Sequence, residues 1–101
     1  MIGVALRDRD LAVLRNAFRR FPCVKEVKVF GSRATGQARR ASDLDLAVAA
    51  PGASDTEWMD LAGAIEDAPV VYEIDVVRTE QTRNARLLDK IAREGVRIYP
   101  E

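Results

Sequence analysis

The sequence predicts an α/β fold, a small mixed β-sheet with helices packed on it. Three observations lead to this prediction. Apolar residues recur at helical spacing in three segments, short valine-rich segments of alternating polarity lie between them, and Pro or Gly residues separate the two kinds of segment. With 101 residues, we expect one domain, residues 1–101, without a second substrate-binding domain.

Three helices are predicted. The first spans Asp8 to Phe21, where Pro22 ends it, and carries an apolar stripe made of Leu11, Leu14, Phe18 and Phe21. Ser54 and Glu57 have capping-box spacing at the start of the second, on which Trp58 is expected to pack rather than stack on a base. The third is expected to be capped by Thr79 and to run to Glu94, with four buried residues, Leu87, Leu88, Ile91 and Ala92.

Four short segments are predicted to be strands: Val24 to Phe30, Ser42 to Ala49, Val70 to Val77 and the edge strand Val96 to Tyr99. The connection between the first two is short for a parallel crossover, which usually needs a dozen or more residues. We therefore expect these two strands to be antiparallel, with the end of the first beside the start of the second.

Composition narrows the possible chemistry. Histidine is absent and Cys23 is the only cysteine, which excludes Ser-His-Asp and Cys-His nucleophilic sites and His-based zinc sites. Acid–base or metal chemistry would therefore fall to carboxylates. No apolar run approaches the roughly 18 residues of a membrane span, and no cleavable signal pattern is present, so we expect a cytoplasmic protein without a membrane partner.

Charge is balanced but unevenly distributed. The chain has 16 basic and 16 acidic residues, which does not favour stable nucleic-acid binding. Residues 7–40 carry ten basic and three acidic side chains, whereas residues 41–76 carry nine acidic side chains and no basic one. Most of these charges are interpreted as solvated helix faces.

The stretch VFGSRATGQARRASDLDLAV, Val29 to Val48, carries the strongest functional signal. Because strand side chains alternate, Asp43 and Asp45 are expected to project from one face, about 6.5 to 7 Å apart. The opposite face is the predicted core face, formed by Leu44, Leu46 and Val48. Two carboxylates at this spacing suit Mg²⁺, which takes a few carboxylates, waters and substrate phosphates as ligands.

A phosphate site is predicted next to these acids. Gly31 lets the backbone approach an anion, and Ser32 can cap a short helix whose free N–H groups point towards negative charge. In the same connection, Arg33, Arg39 and Arg40 can bring positive charge to the outer phosphates.

A third acid lies in the segment VVYEIDVV. Asp75 stands within a β-branched run, where an aspartate is unfavourable without compensation. If its strand neighbours the second strand, Asp75 can join Asp43 and Asp45 around divalent cations and assist an attacking hydroxyl. Glu73 shares its predicted face and is a weaker candidate.

Together these residues resemble a known family. The stretch FGSRATGQARRASDLDLAV resembles the GSx10DxD signature of the minimal nucleotidyltransferases in the DNA polymerase beta-like superfamily, and VYEIDVV and LLDKIAREGVRIYPE resemble that family's third strand and closing helix. The resemblance implies nucleotide-phosphate binding by Gly31 and Ser32, metal binding by Asp43 and Asp45, and a third catalytic carboxylate at Asp75. It also implies two Mg²⁺ ions and ATP as substrate.

Members of this compact group usually work beside a small helical partner that is encoded next door, often of the HEPN type, in a toxin–antitoxin pair. The resemblance implies a protein adenylyltransferase that moves AMP from ATP to a tyrosine of such a partner and acts as its antitoxin. One alternative is a non-catalytic binding module that neutralises a basic partner by occlusion through the acidic residues between Asp55 and Glu73. Another is nucleotidyl transfer to a small molecule.

Overall fold

The computed structural model describes residues 6–31, 34 and 43–101, and for Asp43 the backbone alone. These residues form three helices and four strands, which are α1 Asp8–Arg19, β1 Glu26–Phe30, β2 Asp43–Ala49, α2 Asp55–Glu66, β3 Glu73–Arg78, α3 Ala85–Glu94 and β4 Val96–Tyr99. The predicted fold class is confirmed. None of the helices in the described ranges is long and apolar enough to cross a membrane.

The strands form one mixed sheet in the order β3-β2-β1-β4. β1 is antiparallel to both of its neighbours, whereas β2 and β3 are parallel and are joined by α2. The short connection after β1 correctly predicted an antiparallel pair. β3 neighbours β2, which is the condition on which the expected role of Asp75 depends.

The main core lies on one face of the sheet, under α1 and α2. Three residues of β2 belong to this core, are at most 1% exposed, and pack with Phe18 of α1 and Leu61 of α2. They are Leu44, Leu46 and Val48. Burying an aliphatic side chain of this size contributes about 1.5–3 kcal/mol. Because a slip of one residue would turn these side chains to the opposite face, the core fixes which side of β2 carries Asp45.

A smaller cluster lies on the opposite face of the sheet. There Ile91 of α3 packs with Phe30 of β1 and Ala47 of β2, and Val77 and Leu87 lie against them. Since Ala47 is two residues after Asp45, α3 covers part of the same face that carries the acidic side chains.

One predicted helix end agrees with the structure and two differ from it. The capping box at Ser54 and Glu57 is present, with both of its hydrogen bonds, whereas α1 ends at Arg19 rather than at Phe21. The predicted start of α3 is wrong, because Asn84 caps the helix by accepting from the amide of Leu87 at 3.1 Å. Thr79 instead donates its amide to the carbonyl of Val48 at 2.9 Å and thereby extends the contact between β3 and β2.

Two predicted buried positions of α3 are also wrong. Leu88 is 39% exposed and Ala92 is exposed, whereas Ile91 is buried and Leu87 is half-buried. The helix is only ten residues long and contacts the sheet along a narrow stripe, so the wider apolar face predicted for it is not covered. Gly95 ends α3, and a Cβ there would lie 2.4 Å from the carbonyl oxygen of Ile91.

A buried carboxylate joins α1 to the segment that leads into β3. Asp10 is 1% exposed and accepts hydrogen bonds from the hydroxyl of Tyr72 at 2.7 Å and from Nε of Arg7 at 3.2 Å. The Tyr72 hydroxyl is the main reason that the pKa of Asp10 lies below its usual value, with burial opposing the shift and Arg7 adding to it. The bond holds the start of β3 against the core.

A second polar cluster fastens the other end of β3. The guanidinium of Arg78 donates to the carbonyls of Ala50 at 3.0 Å and Ala53 at 2.9 Å, pairs with Glu80, and lies 5.1 Å from the ring centre of Trp58. Trp58 is half-buried and packs against the core, as predicted. Burial works against ionisation of Glu80, but hydrogen bonds from the amide of Ala50 and from Arg78 outweigh it and lower the pKa of that carboxyl.

Replacing Tyr72 with Phe is expected to destabilise the fold by about 1–3 kcal/mol, because the buried Asp10 carboxylate loses a donor. The loss is measured by urea unfolding at pH 7. Since the pKa of Asp10 is depressed in the folded state, its contribution is present above the ordinary carboxylate pKa of about 4 and is lost as the pH falls through the lower, folded value. The difference between the two proteins should therefore shrink in acid.

The matched control is Tyr99→Phe. The Tyr99 ring packs on Phe18 with centres 5.6 Å apart, and its hydroxyl takes part in no hydrogen bond among the residues that the structure describes. This variant should change stability by less than about 0.5 kcal/mol. Equal losses in the two variants would contradict the role given to the Asp10–Tyr72 bond.

Candidate active site

Three strand ends meet at one end of the sheet. The last residue of β1, Phe30, pairs with Asp45 near the start of β2, because these strands are antiparallel. β3 starts at the same end, because it is parallel to β2. The topology therefore brings Gly31, which follows β1, to the acidic starts of the two neighbouring strands.

The register between β2 and β3 pairs acid with acid. Asp45 is the partner of Asp75, and Asp43 is the partner of Glu73. Paired residues of adjacent strands lie about 4.8 Å apart and project from the same face, so Asp45 and Asp75 are next to each other on the face opposite the main core. Asp45 is half-buried, whereas Asp75 and Glu73 are exposed.

Gly31 is required by its conformation and by its neighbour. Its φ is +76°, a region that residues with a side chain rarely adopt, and a Cβ at this position would lie 2.5 Å from Oδ2 of Asp45. The chain turns directly afterwards, since the amide of Ala34 donates to the Gly31 carbonyl at 3.1 Å. The backbone at the end of β1 therefore lies so close to the Asp45 carboxylate that a side chain at position 31 would clash with it.

Several predicted site residues lie outside the described part of the chain. These are Ser32, Arg33, Arg39 and Arg40, together with the short helix expected in the same connection and the side chain of Asp43. Among the described residues, no group of three acidic, histidine or cysteine side chains could hold a metal ion. The structure thus brings together Asp45 and Asp75, and the roles of the other residues stay predictions.

Two features of the site were underestimated from the sequence. Glu73 was a weaker candidate, but the register sets it opposite Asp43. The alternation that selected Asp75 also selects Glu73, so the signal was present. Gly31 was assigned only to anion binding, and its close approach to Asp45 depends on strand pairing that no local pattern contains.

The chemistry of this donor set fits a hard divalent cation. Carboxylate oxygens are the protein ligands that Mg²⁺ prefers, and adjacent carboxylates at Asp45 and Asp75 repel each other unless positive charge lies between them. Glu73 adds a further negative charge on the same face. The described residues therefore form an acidic end of the sheet suited to binding cations.

The family model described as "Polymerase beta, Nucleotidyltransferase" matches residues 12–101. The chain belongs to this family. It is a nucleotidyltransferase, and its resemblance to the minimal nucleotidyltransferases is confirmed.

Solved structures agree with this assignment. One assigned as a minimal nucleotidyltransferase is 35% identical, with a TM-score of 0.63, over 86% of each chain. A toxin–antitoxin structure with AMP-PNP is 22% identical over 88% of this chain and 72% of the other, with a TM-score of 0.71. A structure of the toxin–antitoxin MntA-HepT is 18% identical over 92% and 72%, with a TM-score of 0.61. A search of curated proteins gave no match.

Replacing Gly31 with Ala in this nucleotidyltransferase is expected to impair the site more than the fold. The positive φ costs about 1–2 kcal/mol for a residue with a side chain, and the new Cβ displaces the Asp45 carboxylate. We expect a small loss of stability on urea unfolding and a large fall in nucleotidyl transfer, measured at a temperature where both proteins are folded.

The control is Gly63→Ala. Gly63 lies inside α2, and a Cβ there meets nothing within 4 Å. Alanine should stabilise this helix by up to about 1 kcal/mol and leave transfer unchanged. Full activity of Gly31→Ala would contradict the importance of the contact between Gly31 and Asp45.

Proposed function

We propose that this nucleotidyltransferase uses Mg-ATP to transfer AMP to a tyrosine hydroxyl of a small helical HEPN-type partner and acts as the antitoxin of that toxin. The observation that carries the proposal is the pairing of Asp45 with Asp75 beside Gly31. Similarity to toxin–antitoxin structures, one of them with AMP-PNP, supports both the partner and the nucleotide. ATP as donor agrees with a cytoplasmic location.

In the proposed reaction, the acceptor oxygen forms a bond to the α-phosphorus of ATP. The bond from that phosphorus to the oxygen bridging to the β-phosphate breaks, and pyrophosphate leaves with the bonding electrons. The hydroxyl proton passes to the carboxylate of Asp75 and from there to solvent. Asp75 suits this role because it is exposed and its backbone pairs with that of Asp45.

Each of the remaining site residues has a proposed task. Asp43, Asp45 and Asp75 would hold two Mg²⁺ ions, which when bound offset the charge of the triphosphate and favour ionisation of the acceptor hydroxyl. The backbone of Gly31 and Ser32 would bind nucleotide phosphate, and Arg33 and Arg39 would contact the outer phosphates. These tasks follow from the family motif at the same positions.

Replacing Asp45 with Asn is expected to reduce transfer by about 100-fold or more, because a ligand for the cations and their charge is lost. The measurement is transfer of label from α-labelled ATP to the protein encoded in the adjacent reading frame. Asp89→Asn removes a similar charge from the exposed face of α3 and should retain full activity. Unchanged transfer by the Asp45 variant would contradict the proposal.

The same variant separates catalysis from occlusion. A binding module would still neutralise its partner after Asp45→Asn, whereas an adenylyltransferase would still bind the partner but fail to neutralise it. The readout is the growth of cells that express the partner together with either Asp45→Asn or the control Asp89→Asn. Growth with Asp45→Asn would indicate occlusion, and growth with Asp89→Asn alone would indicate catalysis.

Mg²⁺ is expected to stabilise the wild-type fold through the site acids. At a concentration ten times its Kd, a ligand that binds only the folded state adds about 1.4 kcal/mol to the free energy of unfolding. Asp75→Asn should lose most of this gain, and without Mg²⁺ it should be no less stable than wild type, because one of two repelling charges is gone. Equal stabilisation of both proteins by Mg²⁺ would contradict metal binding at this pair. Thermal unfolding with EDTA or Mg²⁺ measures both effects.

A further inference from the structure

A groove runs along the outer edge of β3. One wall consists of Ala62, Ile65 and Glu66 in the second half of α2, and the other consists of residues 72–76, the start of β3. Its volume is about 480 Å³, within the range of about 300–1,000 Å³ that is typical of ligand-binding clefts. The groove is therefore large enough for several residues of an extended peptide.

The strand beside this groove has an open edge. β3 is the last strand in the order β3-β2-β1-β4, so no described strand pairs with its outer side. Alternate N–H and C=O groups of an edge strand point outwards and can hydrogen-bond to an added strand. Ile74 and Val76 are half-buried towards α2, which gives the groove an apolar floor.

The acidic residues around the groove favour a positively charged occupant. The residues that line it include three acids, Glu66 of α2 and Glu73 and Asp75 of β3, and no basic residue lies anywhere between residues 41 and 76. The Glu73 and Asp75 side chains project from the far face of the β3 edge, beside any strand added there. A second copy of this strand would bring like charges opposite one another, which disfavours self-pairing. A segment rich in Lys or Arg complements the groove instead.

The groove is continuous with the candidate active site, because Asp75 belongs to both. A strand added to β3 would lie about 4.8 Å from it, and every second side chain would project on the face that carries Asp45 and Asp75. A residue paired with Asp75 would thus direct its side chain towards the carboxylates.

We propose that this groove binds an extended, basic segment of the partner protein as an added β-strand, and that the acceptor tyrosine lies in that segment. The inference rests on the proposed function and specifies how the acceptor reaches the site. The tyrosine oxygen bonds to the α-phosphorus, pyrophosphate leaves with the electrons of the broken bond, and the phenolic proton passes to Asp75.

The first test measures binding of fluorescent ten-residue peptides to the full chain with Mg²⁺ and AMP-PNP present. Each peptide has one central tyrosine flanked by alternating threonine and either lysine or glutamate. The lysine peptide should bind at least about tenfold more tightly than the glutamate peptide. Glu66→Gln should weaken binding of the lysine peptide by about two- to fivefold, as expected for an exposed charge pair.

Asp60→Asn is the matched control for Glu66→Gln. It removes one acidic charge from the same helix, but Asp60 lines the groove between α1 and α2. Binding of the lysine peptide by this variant should equal that of wild type. Equal weakening by both variants would indicate general attraction to an acidic protein and would overturn the proposal.

The second test addresses strand pairing directly. Two N-methylated versions of the lysine peptide are compared. In one, methyl groups on two alternate backbone nitrogens remove hydrogen-bond donors from one edge of the extended peptide. In the other, methyl groups on the nitrogens between them remove donors from the opposite edge. One pattern should weaken binding by about tenfold or more and the other should have little effect, because only one edge of an added strand faces β3. Equal effects of the two patterns would also overturn the proposal.

These tests separate this inference from the proposed function. Asp45→Asn should still prefer the lysine peptide to the glutamate peptide while failing to transfer AMP. If the wild-type protein prefers the lysine peptide but transfers no AMP to the partner, the result would argue against the proposed function and not against the groove. Transfer to the partner that is insensitive to Glu66→Gln, together with unselective peptide binding, would argue against the groove alone.

Discussion

The parallel pairing of β2 with β3 is the constraint on which the rest of the site depends. It sets Asp45 beside Asp75 and requires the connecting helix α2 to cross the sheet. The antiparallel pairing of β1 with β2 then brings Gly31 to the same end. Because strands impose both spacing and direction on their side chains, two backbone registers are enough to gather Gly31, Asp45 and Asp75, which are 14 to 44 positions apart in sequence.

The two faces of the sheet have different roles, since one contains the main core and the other carries the acidic residues of the candidate active site. The face under α1 and α2 contains the large core, and Leu44 and Leu46 on it hold β2 in register. The opposite face has only a small cluster beneath α3, which leaves Asp75 exposed. Like charges on neighbouring strands cost stability, and a substantial core on the other face offsets that cost.

Polar contacts hold both ends of β3, the strand that carries the third acid. The bond from Tyr72 to Asp10 fixes its start, and the contacts of Arg78 with Ala50 and Ala53 fix its end. Held in this way, the strand has one edge paired with β2 and the other open to the groove beside α2. Among the described strands, β3 is thus an edge strand that polar contacts anchor at both ends, with the Asp75 carboxylate between the anchors.

The sequence by itself determined the fold class, the identity of the elements and the inward face of β2, because alternation and helical periodicity are local consequences of backbone geometry. It also identified Asp45 and Asp75 as candidates. Only the tertiary structure decided that Asp45 and Asp75 are partners in the register of β2 and β3, and that Gly31 lies against the Asp45 carboxylate. It also decided that Thr79 hydrogen-bonds to β2 instead of capping α3. Each of these depends on which strands are neighbours and in what register, and such long-range choices are made by the packing of the whole core and leave no signal in any short segment.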